Sequence, residues 1–166
     1  LDGLVHCAGI AINSVIRAND IEEMEETMRI NCFAFMELGK YFSMKKYSHD
    51  GAALVAISSV EAFKNEKGLS QYAASKAALN SVVKTMSKEF MRRKIRVNAI
   101  LPANVKTPMM MNTARQIENY LEMAEERQPM GLIEPEYIAY LAEYLLSDCA
   151  RYMTGELVVM SGGLEY

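Results

Sequence analysis

The chain of 166 residues is one ordinary domain long, 1–166, and can bury a real core; its net charge of −3 leaves no basic excess for nucleic acid or an anionic membrane surface, so small-molecule chemistry or protein contact remains. Cys7, Cys32 and Cys149 lie far apart with no metal-ligand spacing, which excludes a zinc site and a disulfide framework and reads as reduced, cytoplasmic thiols. The longest apolar runs fall far short of the roughly 20 residues that a membrane helix requires.

"GLVHCA" at 3–8 is a short apolar run that suits a strand buried on both faces. Asp20 followed by Glu23 has capping-box spacing. Ile21, Met24, Met28, Cys32, Phe35, Leu38 and Phe42 then recur at helical intervals, which predicts a helix over about 20–47, broken once and ended by "HDG". "AALVAISS" at 52–59 reads as a second buried strand, 69–93 as a long helix and "IRVNAIL" at 95–101 as a third strand. Pro102 and Pro108 bracket a loop, and a Met-rich, Glu-rich helical stretch runs to about 127. "EPEYIAYLAEYLLSD" carries proline in its first turn like a well-capped helix, and "GELVVMSGG" closes as a last strand.

Strand and helix alternate strictly, so the fold class is α/β: about four parallel strands in an open, doubly wound, partial Rossmann-like sheet with helices on both faces. Ligands of such sheets sit at the carboxyl ends of the strands. That rule narrows the search to Ala8 and Gly9, to Ser58 and Ser59, and to the loop from Pro102 to Thr107.

Tyr72 and Lys76 are four apart on one helix, so the ammonium can stand near the phenol. A nearby cation favours phenolate and brings the tyrosine pKa down from about 10, as proton transfer to an alkoxide requires. Tyr41 and Lys45 share the spacing. Ser59, however, lies thirteen residues before Tyr72 at a strand end, whereas Met28 holds the matching place before Tyr41, so Tyr41 reads as surface or interface. His6, in a buried run, reads as a core histidine bonded to backbone rather than a catalytic base. Most of the thirteen methionines read as core, although Met109, Met110 and Met111 are placed to line an adaptable apolar pocket.

These residues resemble the classical short-chain dehydrogenase/reductases, 3-oxoacyl-carrier-protein reductases above all. In that family a serine after a strand, YxxxK on the next helix and an upstream helical asparagine form a tetrad, matched here by Ser59, Tyr72, Lys76 and Asn31. "HCAG" at 6–9 is similar to the family's NNAG, "RVNAILPANVKTPM" at 96–109 to its strand and PGxxxTxM loop, and "YMTGELVVMSGG" to its closing strand.

The resemblance implies hydride exchange between NAD or NADP and a carbonyl carbon, with Tyr72 as general acid and base at the oxygen. It further implies that Ser59 bonds that oxygen, that Lys76 lowers the Tyr72 pKa and holds the nicotinamide ribose, and that Asn31 holds a relay water. Pro102, Val105 and Thr107 match the loop that takes the carboxamide, and Cys7, Ala8 and Gly9 match the positions beside the adenosine ribose. His6 and Cys7 replace the asparagines of NNAG, and Ala103 replaces the glycine after Pro102, where its methyl either crowds the cofactor or stiffens the loop.

No TGxxxGxG turn exists among the nine glycines, and the family places that pyrophosphate cradle ahead of everything seen here. The expectation is therefore a carboxyl-terminal portion of a longer enzyme, lacking the family's first three strands and inactive by itself. The strand at 3–8 would then present a free apolar edge, to be covered by residues before Leu1 or by another copy in a homo-oligomer, a dimer or tetramer. Two other readings stay open: a binding or assembly fragment of the same fold without catalysis, and an epimerase or dehydratase that uses the same tyrosine and lysine.

Overall fold

The computed structural model describes residues 1–115 and 117–165. Four strands, β1 (Gly3–His6), β2 (Ala53–Ile57), β3 (Arg96–Pro102) and β4 (Leu157–Met160), form one sheet in the order β1-β2-β3-β4, every neighbouring pair parallel. Gly3 pairs with Ala53, Ala53 with Arg96, and Ala99 with Leu157. β2 and β3 are buried along almost their whole length, as continuous apolar strands between two helical layers must be.

Pleat alternation divides the strand residues between two cores. Leu54, Ala56, Val97, Ala99 and Leu101 pack with Phe35, Phe42, Leu79, Val83 and Met86 of α2 (Ala34–Phe42) and α4 (Ser70–Glu89). Val55 and Ile100 pack on the opposite face with Ala142 and Leu145 of α7 (Pro135–Leu146). Gly39 lets α2 approach α4 closely, since a Cβ there would lie 2.5 Å from Met86 Cε.

The helix expected over 20–47 is two helices. Asp20 Oδ1 accepts the N–H of Glu22 at 2.9 Å and caps α1 (Ile21–Met28). Arg29–Phe33 then form a π turn, with the Ala34 N–H reaching back to the Arg29 carbonyl, before α2 continues the path. A short helix after β2, α3 (Glu61–Lys64), was not expected. Two helices, α5 (Pro108–Ala114) and α6 (Tyr120–Arg127), occupy the Met-rich and Glu-rich stretch; Gln116 between them lies outside the described residues. Pro135 stands in the first turn of α7 as its sequence suggested.

Among the described residues β1 pairs on one side only, and Val5 on it is 39% exposed. No helix among them is long and apolar enough to cross a membrane. Leu79 is fully buried where α4 meets the sheet, so Leu79→Ala is expected to cost about 2–5 kcal/mol. A urea titration with unchanged slope reads that cost directly, and a loss under about 1 kcal/mol contradicts the packing.

Candidate active site

The carboxyl ends of β1, β2 and β3 open into a cleft of about 400 Å³. Its floor comes from strand ends and α4, with Gly9, Ser59, Tyr72 and Lys76; its roof comes from the loop after β3 and from α5 and α6, with Val105, Thr107, Met110 and Tyr120. The parallel sheet forces this arrangement, because every strand delivers its following loop to the same end.

Lys76 is 4% exposed, and burial drives its pKa down to about 8. Its Nζ donates to the Ile57 carbonyl at 2.9 Å and stands 5.6 Å from the centre of the Tyr72 ring. The Ser59 hydroxyl bonds to the Tyr72 side chain and accepts the N–H of Glu61 at 3.1 Å. Ser59, Tyr72 and Lys76 thus meet in one cleft. Ser58 lines the cleft as well, but its hydroxyl donates to the Lys76 carbonyl at 3.4 Å.

One expectation about this trio fails. Burial, first of all, pushes the Tyr72 phenol up to about 12, Glu61 and Tyr120 add to the rise, and only the Ser59 hydrogen bond opposes it. Lys76 does not offset the rise: its ammonium lies over the ring and is committed to the Ile57 carbonyl.

Asn31, fully buried in the π turn, makes three side-chain hydrogen bonds within the protein. Oδ1 accepts the Ile10 N–H at 2.8 Å, and Nδ2 donates to the Ile10 carbonyl and to Ser75 Oγ, each at 2.9 Å. It therefore clamps the loop after β1 to α4 beside Lys76. Gly9 lies under this clamp, where a Cβ would come within 3.3 Å of Asn31 Oδ1 and 3.4 Å of Lys76 Nζ.

Cys7 and Gly9 line the cleft, whereas Ala8 between them is exposed and does not. Pro102, Ala103, Val105 and Thr107 all line it. Val105 bridges Ile133 in parallel fashion, through bonds from Lys106 N–H to the Ile133 carbonyl and from Ile133 N–H to the Asn104 carbonyl, both 2.9 Å. That pattern turns the N–H and carbonyl of Val105 itself away from Ile133. Thr107 Oγ1 caps α5 through the Met110 N–H at 3.3 Å.

Three further residues had no signal in the sequence. Gln128, fully buried, accepts the Asn104 N–H at 3.0 Å and donates to the Asn104 and Gly131 carbonyls, which fixes the loop under Val105. Glu61 and Tyr120 line the cleft from opposite walls. Tyr41 is 48% exposed, in keeping with a surface role, and Met111 lies outside the cleft that Met109 and Met110 line. His6 is buried with its ring 5.6 Å from Phe35. The backbone bond expected of it is missing, because the side chain points into the apolar layer under α2.

A family model described as enoyl-(acyl carrier protein) reductase matches residues 1–165. The chain belongs to the short-chain dehydrogenase/reductase family. It is 32% identical over 165 residues to the 3-oxoacyl-(acyl-carrier-protein) reductase FabG of Thermotoga maritima, covering 99% of this chain and 66% of that relative. The chain thus spans just under two thirds of the relative's length. A short chain dehydrogenase family protein from Francisella tularensis superposes with a TM-score of 0.90 at 27% identity, over 98% of this chain and 70% of the other. The angucycline C-6 ketoreductase LanV, solved with bound NADP, gives 0.88 at 25% identity, over 98% and 62%. In this family member the fold is a four-stranded parallel Rossmann-like sheet, as the strand and helix order implied.

The family member's buried lysine makes a pH signature that needs no substrate. Burial lowers the Lys76 pKa to about 8 in the folded chain, below the ordinary lysine value of 10.5, so the unfolded chain binds the extra proton between these values and stability rises with pH across that window. Replacing it by methionine is expected to stabilise the chain at pH 7 by on the order of 1–3 kcal/mol, with the gain shrinking toward pH 10. Denaturant midpoints of both proteins across this range measure it, and a pH-independent difference contradicts the assignment.

Proposed function

We propose that this chain provides the proton-transfer and substrate side of an NAD- or NADP-dependent oxidoreductase that interconverts a carbonyl and a secondary alcohol. The observation that carries the reading is the convergence of Ser59, Tyr72 and Lys76 at the strand ends. The family membership and the reductases among the relatives support it.

The cleft suits the nicotinamide end of such a cofactor. The main chain of Val105 and the adjacent Pro102 and Thr107 would receive the carboxamide, Lys76 and Tyr72 the ribose, and Gly9 leaves room that a side chain would take. Cys7, Ala8 and Gly9 would lie along the adenosine side. Bound there, the nicotinamide supplies or accepts the hydride.

The chain's own residues move the proton. Burial keeps the Tyr72 phenol protonated at neutral pH, the form that donates to an alkoxide, and the Ser59 hydroxyl orients the same oxygen. In the alcohol-to-carbonyl direction phenolate is needed, and the Ser59 hydrogen bond favours it. Asn31 holds the Ile10 loop and α4 in register and would hold the relay water. In a protein that also carries the nucleotide-binding strands expected ahead of this chain, Tyr72→Phe should lower nicotinamide-dependent carbonyl reduction at least about a hundredfold with folding intact, as loss of a general acid does. Followed by nicotinamide absorbance over a panel of ketones and aldehydes, undiminished turnover rejects the role.

The reading includes a reduced, cytoplasmic setting for the three free cysteines and a homo-oligomer, dimer or tetramer. Phe33, Met36, Tyr41 and Met44 make an exposed apolar stripe along α2 and its ends, a face suited to a second copy. Sedimentation equilibrium should show an assembly that Met36→Glu weakens; a monomer at micromolar concentration ends this part of the proposal.

A further inference from the structure

The cleft holds a carboxylate that the reaction does not need. Glu61 opens α3 two residues beyond Ser59, and its side chain is only 12% exposed. Its Oε2 accepts the Glu66 N–H at 3.0 Å, and its Oε1 lies 3.4 Å from Lys64 Nζ. Lys64 in turn reaches Glu66 at 2.7 Å, and Glu66 holds Arg127 of α6 at 2.9 Å. This chain of ion pairs braces the carboxylate, and Lys64 and Glu66 line the cleft with it. A carboxylate offers about four acceptor positions, so acceptor capacity remains in the cleft that Glu61 shares with Tyr72 and Tyr120.

The placement opposes the proton chemistry. After burial, the Glu61 charge is one of the influences that push the Tyr72 phenol up, and it acts on Tyr120 across the cleft as well, behind burial and Glu66. A buried charge is costly even when paired, and departures of this kind concentrate where a ligand is handled.

We propose that Glu61 determines specificity: its carboxylate accepts a hydrogen bond from a hydroxyl on the carbon beside the reacting one, so the cleft selects vicinal diols and α-hydroxy carbonyls over simple alcohols and ketones. The proposal rests on Ser59 and Tyr72 marking the reacting oxygen: Glu61 follows Ser59 by two residues, its main-chain N–H bonds the Ser59 hydroxyl at 3.1 Å, and its charge acts on the Tyr72 phenol in the same cleft. An acceptor-only group discriminates by donors, and a hydroxyl donating to a carboxylate forms the stronger, charge-assisted kind of bond. A substrate ammonium is disfavoured by Lys64 on the same carboxylate and by Lys67, which also lines the cleft. An anionic substituent is repelled by Glu61 itself. Met109, Met110 and Ile117 offer the apolar wall for the carbon skeleton.

Binding tests this without turnover. Ligand-observed NMR titrations of the chain with cyclohexane-1,2-diol and with cyclohexanol should give a Kd about tenfold lower for the diol. Glu61→Gln, which keeps the shape and removes the charge, should reduce the preference below about threefold, Glu61→Leu should abolish it, and Tyr72→Phe should retain it. Thermal melts confirm that each variant is folded. Equal affinities in the unaltered chain, a preference that survives in Glu61→Gln or Glu61→Leu, or no binding of either alcohol overturns the proposal. Failure of the redox reading would show separately, as absence of nicotinamide-dependent turnover in a protein that also carries the nucleotide-binding strands, with the diol preference intact.

Discussion

A buried ammonium organises this cleft. Lys76 is almost wholly removed from water, and the penalty of that burial appears as a pKa lowered to about 8. The surroundings answer it with the Ile57 carbonyl at the end of β2 and the face of the Tyr72 ring one helical turn earlier. Each partner depends on a different element, so the charge can be housed only when strand end and helix are both in place. Gly9 and the Asn31 clamp close the same space from the side of β1.

The sheet makes that meeting point possible. Parallel pairing sends the loops after β1, β2 and β3 to one end, and two separate apolar cores, one under α2 and α4 and one under α7, hold the strands rigid behind it. The roof is fastened by different means. Gln128 ties the loop beneath Val105, and the ion pairs from Glu61 through Lys64 and Glu66 to Arg127 join α3 to α6 across the opening. Polar fastenings of this kind rearrange more readily than a packed core, which suits a wall that must admit a ligand.

Much of the architecture was legible because it is written in local periodicity. Continuous apolar runs marked β2 and β3 and a helical repeat marked α1, α2 and α4, since burial on one face or two leaves its period in the chain. The π turn at Arg29–Phe33 changes that period too little to separate from a simple break. The four residues of α3 are too few to show any period at all. The trio in the cleft was legible as an ordered motif, whereas the acidity of Tyr72 was not. Its direction depends on how deeply the phenol is buried and on where the Lys76 ammonium settles, and here it settles on a carbonyl.

Residue order by itself determined the alternation of strand and helix, the parallel sheet and the strand ends at which chemistry would lie, because hydrophobic period and crossover handedness act over short stretches. Only the tertiary structure decided the rest. Asn31 clamps Ile10 and Ser75, Gln128 holds Asn104, and Arg127 reaches Glu66, and these partners are 21 to 61 positions apart. Such contacts form between side chains whose spacing along the chain carries no repeat, so packing alone brings them together.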